Sequence, residues 1–199
     1  DANFLDVNNL SLPYWLLNSE ELEEILLDTG ERDNYNQSSV FRMLVTSNKR
    51  KHNPSMSKVF YDSPVFFDIN EIETALKNLR DETRNSKASD RYMIVGESGV
   101  ADEKKDSSTT SECGCKLSDS ERIEKYFNCK FEFYNSKASN ISKGFYADGT
   151  LDKFVSRFSE KINQDRLSFL FSDDSRNQEF ENVIKSLLGL QRRQEIIRM

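Results

Sequence analysis

Histidine is nearly missing from this chain: His52 is the only one in 199 residues. That excludes most histidine-based catalysis, because a Ser-His-Asp arrangement has no second imidazole to draw on and a general base needs a positioned partner. His52 lies in the run Lys49-Arg50-Lys51-His52 and reads as a solvated surface side chain. Glycine is also sparse, with seven residues, and the one suggestive string, Gly96-Glu97-Ser98-Gly99-Val100, fails two tests. A phosphate-binding loop needs a second glycine five residues after the first, followed by lysine, but Ala101 stands there. A nucleophile elbow needs glycine where Val100 stands. The string reads as a loop. Cysteine is limited to Cys113, Cys115 and Cys129. An odd count with no secretion signal points to reduced thiols and a cytoplasmic setting. Three soft ligands also fall one short of a closed zinc site. No run approaches the roughly 18 apolar residues that a membrane-spanning helix requires, and Asp1-Ala2-Asn3-Phe4-Leu5-Asp6 has neither the basic nor the apolar region of a signal peptide.

What is present is charge and phenylalanine. Charged residues make up 31% of the chain and hydrophobic ones only 36%, yet Phe occurs 14 times. A polar chain with enough large side chains for a real core is expected to be globular with uncovered stretches. The net charge of −6 argues against autonomous nucleic-acid binding, whose affinity comes from neutralising phosphates.

Periodicity predicts mainly helix. Leu12-Pro13-Tyr14-Trp15-Leu16-Leu17 is an apolar string, followed by Asn18 and Glu21 in a capping box, with Leu17 and Leu22 as staple. Leu22, Ile25 and Leu26 share one face of the helix that follows, and Glu20, Glu23 and Glu24 face water. Val40, Phe41, Leu44 and Val45 mark a second helix over 36–47, with the basic run just beyond it and Pro54 blocking continuation. Residues 59–67 read as extended, at best an edge strand because of Pro64. Asp68, with Glu71 at the box position, opens a third helix with Ile72, Ala75, Leu76 and Leu79 on its buried stripe. Residues 80–117 read as a mobile polar insertion interrupted by Tyr92-Met93-Ile94-Val95. Ser118 and Glu121 suggest another box, opening a helix through Phe127, and Phe131 and Phe133 alternate as in a short strand. Two further helices carry Leu151, Phe154, Val155, Phe158 and Ile162, then Phe180, Val183, Ile184, Leu187 and Leu188, the second closed by Gly189. Between them lies the apolar string 167–171. The expected fold is a helical, bundle-like subdomain with one or two short β segments, in the order 1–79, 80–117 and 118–199.

Paired carboxylates such as Asp173-Asp174 and Glu20-Glu21 open helices, where negative charge suits the dipole. Lys49, Arg50 and Lys51 read as a solvated helix end. Arg157 sits on the apolar helix 151–162 and Arg166 beside it; both are expected to pair internally, with Asp152 or Asp165 as partners, rather than with a neighbouring subunit.

Several strings, in order, carry a resemblance. Asn9-Leu10-Ser11-Leu12-Pro13-Tyr14-Trp15-Leu16-Leu17-Asn18-Ser19-Glu20-Glu21 resembles a string of HerA-like ATP-binding proteins, apart from Asn9, where that family often has Asn-Pro. Residues 34–42 and 61–69 look like its next helix and extended segment. Phe154-Val155-Ser156-Arg157-Phe158, Asp165-Arg166-Leu167-Ser168-Phe169-Leu170-Phe171 and Leu187-Leu188-Gly189 look like its last part before the Walker B strand. The likeness covers roughly 5–79 and 148–189. It implies a helical insert of a RecA-like α/β ATPase core, with the P-loop expected before Asp1 and the Walker B strand after Met199. It further implies ATP and Mg as cofactors of the whole protein, with none held by this segment, a homo-hexameric ring, double-stranded DNA, and a nuclease or effector partner, in DNA-end processing or antiphage defence. No nucleotide-contacting residue carries over, so the resemblance assigns no catalytic, cofactor or metal residue here. The candidate interface is Trp15, Leu16, Leu17, Arg157, Arg166 and Phe169, on surfaces that the core would cover. The competing expectations are a self-contained helical interaction domain without nucleotide chemistry, and a zinc module built on the three cysteines.

Overall fold

A computed structural model describes residues 12–27, 34–85, 87–97, 114–116, 119–134 and 141–172. The expected helix over 180–188, its Gly189 cap, the Asp173-Asp174 pair, Ser118 and Cys113 lie outside these residues.

The described fold is mainly helical. A 3-10 turn, Tyr14–Leu16, leads into α1 (Ser19–Leu26). The helix starts where the capping box predicts: Asn18 accepts from the Glu21 amide while the Glu21 carboxylate accepts from the Asn18 amide. Helix α2 (Asn34–His52) is longer than its apolar pattern suggests. The basic run forms its last turn rather than following it, so four cationic or polar donors sit where the helix dipole is negative. Residues 59–67 are extended apart from a turn at 61–62 and pair with no strand among the described residues; donors at and just past the end of α2 hold them instead (Arg50 Nε to Val59 O, 3.4 Å; Asn53 Nδ2 to Phe66 O, 2.9 Å).

Helix α3 (Ile69–Asp81) is central, packing on α2, on α4 (Asp119–Asn128) and on α5 (Asp152–Ile162). Its stripe of Ile69, Ile72, Ala75, Leu76 and Leu79 is fully buried. So are Val40, Phe41, Leu44 and Val45 of α2 and Leu151, Phe154, Val155 and Phe158 at or on α5, as their helical spacing requires. Phe41 sits among Phe154 and Phe158 at ring separations of 6.3 and 5.9 Å, both edge-on. The chain then turns through a 3-10 segment, Asp165–Leu167, into a single helical turn, α6 (Ser168–Phe171).

Asn78 is the buried polar pin of this core. Its Nδ2 donates to Tyr126 O and Cys129 O (3.2 and 2.8 Å), and its Oδ1 accepts from the Phe131 amide (2.9 Å). One side chain of α3 therefore closes the C-terminal end of α4 and aligns β4 (Phe131–Phe133).

The larger departure from expectation is β structure. One or two short segments are expected, and 80–117 reads as a mobile insertion. The structure instead has β1 (Thr83–Asn85), β2 (Ala88–Glu97), β3 (Gly114–Lys116) and β5 (Ile141–Lys143) with β4. All pairings are antiparallel: β2 pairs β1, β3 and β4, and β1 pairs β5. The four-residue apolar patch 92–95 lies inside β2, with polar neighbours supplying the rest of its length through backbone bonds. No described helix is long and apolar enough to cross a membrane.

Candidate functional site

The candidate interface residues fall mainly on two strings far apart in sequence, 12–17 and 165–171. The fold brings these strings together. The Leu12 amide donates to Phe169 O at 2.7 Å, and the Tyr14 and Phe171 rings lie 5.5 Å apart. Tyr14 ties this contact to the core: its hydroxyl donates to Phe67 O (2.7 Å) and accepts from the Ile69 amide (3.2 Å), at the start of α3. Its ring also meets Phe67 edge-on at 5.0 Å.

This geometry corrects part of the expectation. Trp15 is 1% exposed and belongs to the core, so it offers no surface on the described fold. Its indole Nε1 is buried with no hydrogen-bond partner among the described residues. Leu16, Leu17 and Phe169 are half-buried against the same core, and Leu12 is more open. Arg157 is half-buried on α5. Arg166 is exposed, and its Nε donates to Gln164 Oε1 at 2.8 Å rather than to Asp152 or Asp165. The site that results is a clasp of two strings with a partly apolar outer edge. It can join elements.

Polar clusters surround the core, and each serves as a strut. Glu71 is the first. The sequence places it in a capping box with Asp68, and Asp68 does cap α3, accepting from the Asn70 and Glu71 amides. The return half of the box is taken over by Asn48, whose Oδ1 accepts from the Asp68 amide at 2.8 Å. Glu71 is thereby released towards α2, where Lys51 Nζ (2.8 Å), Asn48 Nδ2 (2.6 Å) and His52 Nε2 (2.9 Å) converge on its carboxylate. Burial alone would raise its pKa, but the His52, Lys51 and Asn48 bonds outweigh burial and hold it at about 2. His52 is therefore not a solvated side chain: it is half-buried, bound to Glu71 and edge-on to Phe66 at 5.2 Å. A carboxylate whose folded pKa lies below its unfolded value stabilises the fold above the unfolded value and ceases to do so as pH falls through the folded one. The expected result is an acid-unfolding slope between about pH 4.5 and 2 that flattens in Glu71→Gln, measured by circular dichroism at graded pH.

Lys49 departs furthest from a solvated helix end. It is 2% exposed, and its ammonium donates to Tyr61 O (2.5 Å) and Ser63 O (2.7 Å) beneath the extended segment. The Phe67 ring lies 5.5 Å away. Burial pushes its pKa down to about 8. Burial likewise drives the Tyr61 phenol well above its ordinary range, with the nearby Glu23 carboxylate adding to the effect. Glu23, expected to face water, accepts instead from Arg42 and Ser38 and joins α1 to α2.

The third cluster left no trace in the sequence reading. Glu82, just past α3, is fully buried, with its Oε2 taking bonds from Arg122 Nη1 (2.5 Å) and Tyr126 Oη (2.8 Å) on α4. Oε1 is buried with no hydrogen-bond partner among the described residues, and burial raises the Glu82 pKa. Gly144 packs directly on this carboxylate and donates its amide to Glu82 O at 2.7 Å. A Cβ there would fall 2.9 Å from Glu82 Cβ and Cγ, with Oε1 closer still. Gly144→Ala is expected to cost about 1–3 kcal/mol by overpacking, measured by urea unfolding.

Among the described residues no cluster of three or more His, Cys, Asp or Glu side chains converges as metal ligands. Cys129 is half-buried, and its carbonyl accepts from Asn78 Nδ2. Neither protein-family models nor curated proteins give a match to this chain.

Proposed function

We propose that this chain is a non-catalytic, mainly helical segment of a HerA-like DNA-translocating ATPase, set between the Walker A and Walker B halves of its RecA-like core. The observation that carries the reading is the clasp. An insert must leave and re-enter its parent core at one place, and segments with adjacent ends are the ones a domain accommodates. Residues 12–17 and 167–171 belong to the strings that resemble the two flanks of that insert. They lie side by side, joined by the Leu12–Phe169 bond and the Tyr14–Phe171 contact. In this reading ATP and Mg belong to the rest of the protein. The segment shapes a hexameric ring acting on double-stranded DNA, and its outer edge at Leu16, Leu17 and Phe169 meets the core or a docked nuclease or effector.

The test is ATP hydrolysis by the natural chain, purified with whatever flanks these residues. Mg-dependent turnover stimulated by linear duplex DNA, in a particle of hexameric mass, supports the reading. A chain without nucleotide turnover in the presence of DNA overturns it.

One observation favours a second reading, a self-contained helical interaction domain. Tyr14, Trp15, Leu170 and Phe171 are all buried inside the described fold, whereas a surface awaiting a core would leave them open. Sedimentation of residues 1–199 separates the two. A monodisperse monomer with one cooperative unfolding transition supports the independent domain, and concentration-dependent association through the clasp edge supports the insert.

A further inference from the structure

We infer that the cleft between α2 and α4 is a binding site for a small aromatic anion, a flat ring bearing a phosphate or carboxylate. The inference stands apart from the ATPase reading. The cleft encloses about 480 Å³, within the roughly 300–1,000 Å³ typical of small-ligand sites. Its apolar side is built from Met43, Ile123, Phe127 and Tyr146, and its rim carries Arg50 and Lys51. Phe127 is buried at the floor of the cleft and Tyr146 is half-buried at its side, so an acidic protein here gathers cations beside a partly open aromatic wall: a face for a ring to pack on and donors for its charge.

The donors are held in advance and not used up. Lys51 Nζ has three N–H groups, two of them given to Glu71 Oε1 (2.8 Å) and Asn128 Oδ1 (2.9 Å). Those bonds fix the ammonium 5.6 Å from the centre of the Phe127 ring, and among the described residues one N–H is left for a ligand. Arg50 is exposed and, among the described residues, gives only its Nε, to Val59 O at 3.4 Å, which leaves the terminal guanidinium groups for a bidentate contact. Arg122 lines the same cleft and is anchored from behind by buried Glu82. Cations already immobilised by the fold lose little further freedom when an anion arrives. Glu124 is the acidic side chain in the lining, and it sets a limit of one anionic group rather than a polyphosphate.

Isothermal titration calorimetry of the intact chain with phenyl phosphate, inorganic phosphate and phenol tests the inference. Phenyl phosphate is expected to bind saturably, with each half-ligand weaker by about tenfold or more. Arg50→Gln is expected to weaken phenyl phosphate about tenfold with little change in the thermal midpoint, since among the described residues Arg50 makes one long bond within the fold. Rising salt should weaken binding in parallel. Absence of saturable heat, equal affinity for inorganic phosphate, or an Arg50→Gln variant that binds as well as the parent overturns it.

Discussion

Replacing Arg122 by methionine is expected to lower the unfolding free energy near neutral pH by about 3–5 kcal/mol, a large part of a domain's total. The reason is what stays behind. Glu82 is completely buried, and Arg122 is the cation on its carboxylate. Without it the charge keeps the Tyr126 Oη bond and the electrostatic pull of Arg84, and Oε1 has no donor among the described residues. Methionine keeps the volume, so the loss reports on charge rather than on a cavity. Two further measurements separate this from simple repacking. The double variant Glu82→Gln/Arg122→Met removes the stranded charge and should recover most of the loss. The pH dependence has a definite sign. Burial already raises the Glu82 pKa, and losing Arg122 raises it further. A folded pKa above the unfolded value gives stability that is present at low pH and lost as pH rises through the folded pKa. Arg122→Met should therefore gain on the parent protein as pH falls towards 5. A deficit independent of pH, shared by the double variant, would contradict the account of Glu82 as a charged, buried partner.

Tyr14→Ala is expected to cost about 3–5 kcal/mol, the second large effect. It removes a ring that is 0% exposed and packs on both Phe67 and Phe171. It also removes the hydroxyl that bridges Phe67 O and the Ile69 amide. Tyr14→Phe isolates the hydroxyl and should cost about 1–3 kcal/mol, the penalty of leaving buried backbone groups unsatisfied. Chemical denaturation of the two variants gives both numbers. A Tyr14→Ala loss below about 1 kcal/mol would show that the clasp contributes little to the fold.

The sequence discloses what depends on neighbours in the chain. The Asn18–Glu21 box, the Asp68 cap, the apolar stripes of α3 and α5 and the alternation of Phe131 and Phe133 all follow from short-range spacing, and the structure places them accordingly. What it conceals depends on distant partners. Lys49 looks like any other lysine in a basic run until the carbonyls of Tyr61 and Ser63 fold over it. Glu71 has the spacing of a cap residue, yet Asn48 takes over that bond and leaves Glu71 to bind α2. Asn78 and Glu82 are polar residues at the inner face of a helix end, with no local pattern to distinguish them from solvated ones. The strands between 83 and 116 are held by backbone pairing across irregular separations, which polar composition does not reveal. At the candidate interface the right strings are legible, but not their mutual burial, which removes Trp15 from the surface.

The central claim is that these 199 residues are an insert in a longer ATPase. The measurement that meets it most directly is the intact mass of the native polypeptide, with the sequence of whatever flanks it. The account predicts a longer chain with Gly-x4-Gly-Lys-Ser/Thr before Asp1 and an apolar strand ending in acidic residues after Met199. A native chain that ends at Asp1 and Met199 would contradict it and leave the independent helical interaction domain as the better description.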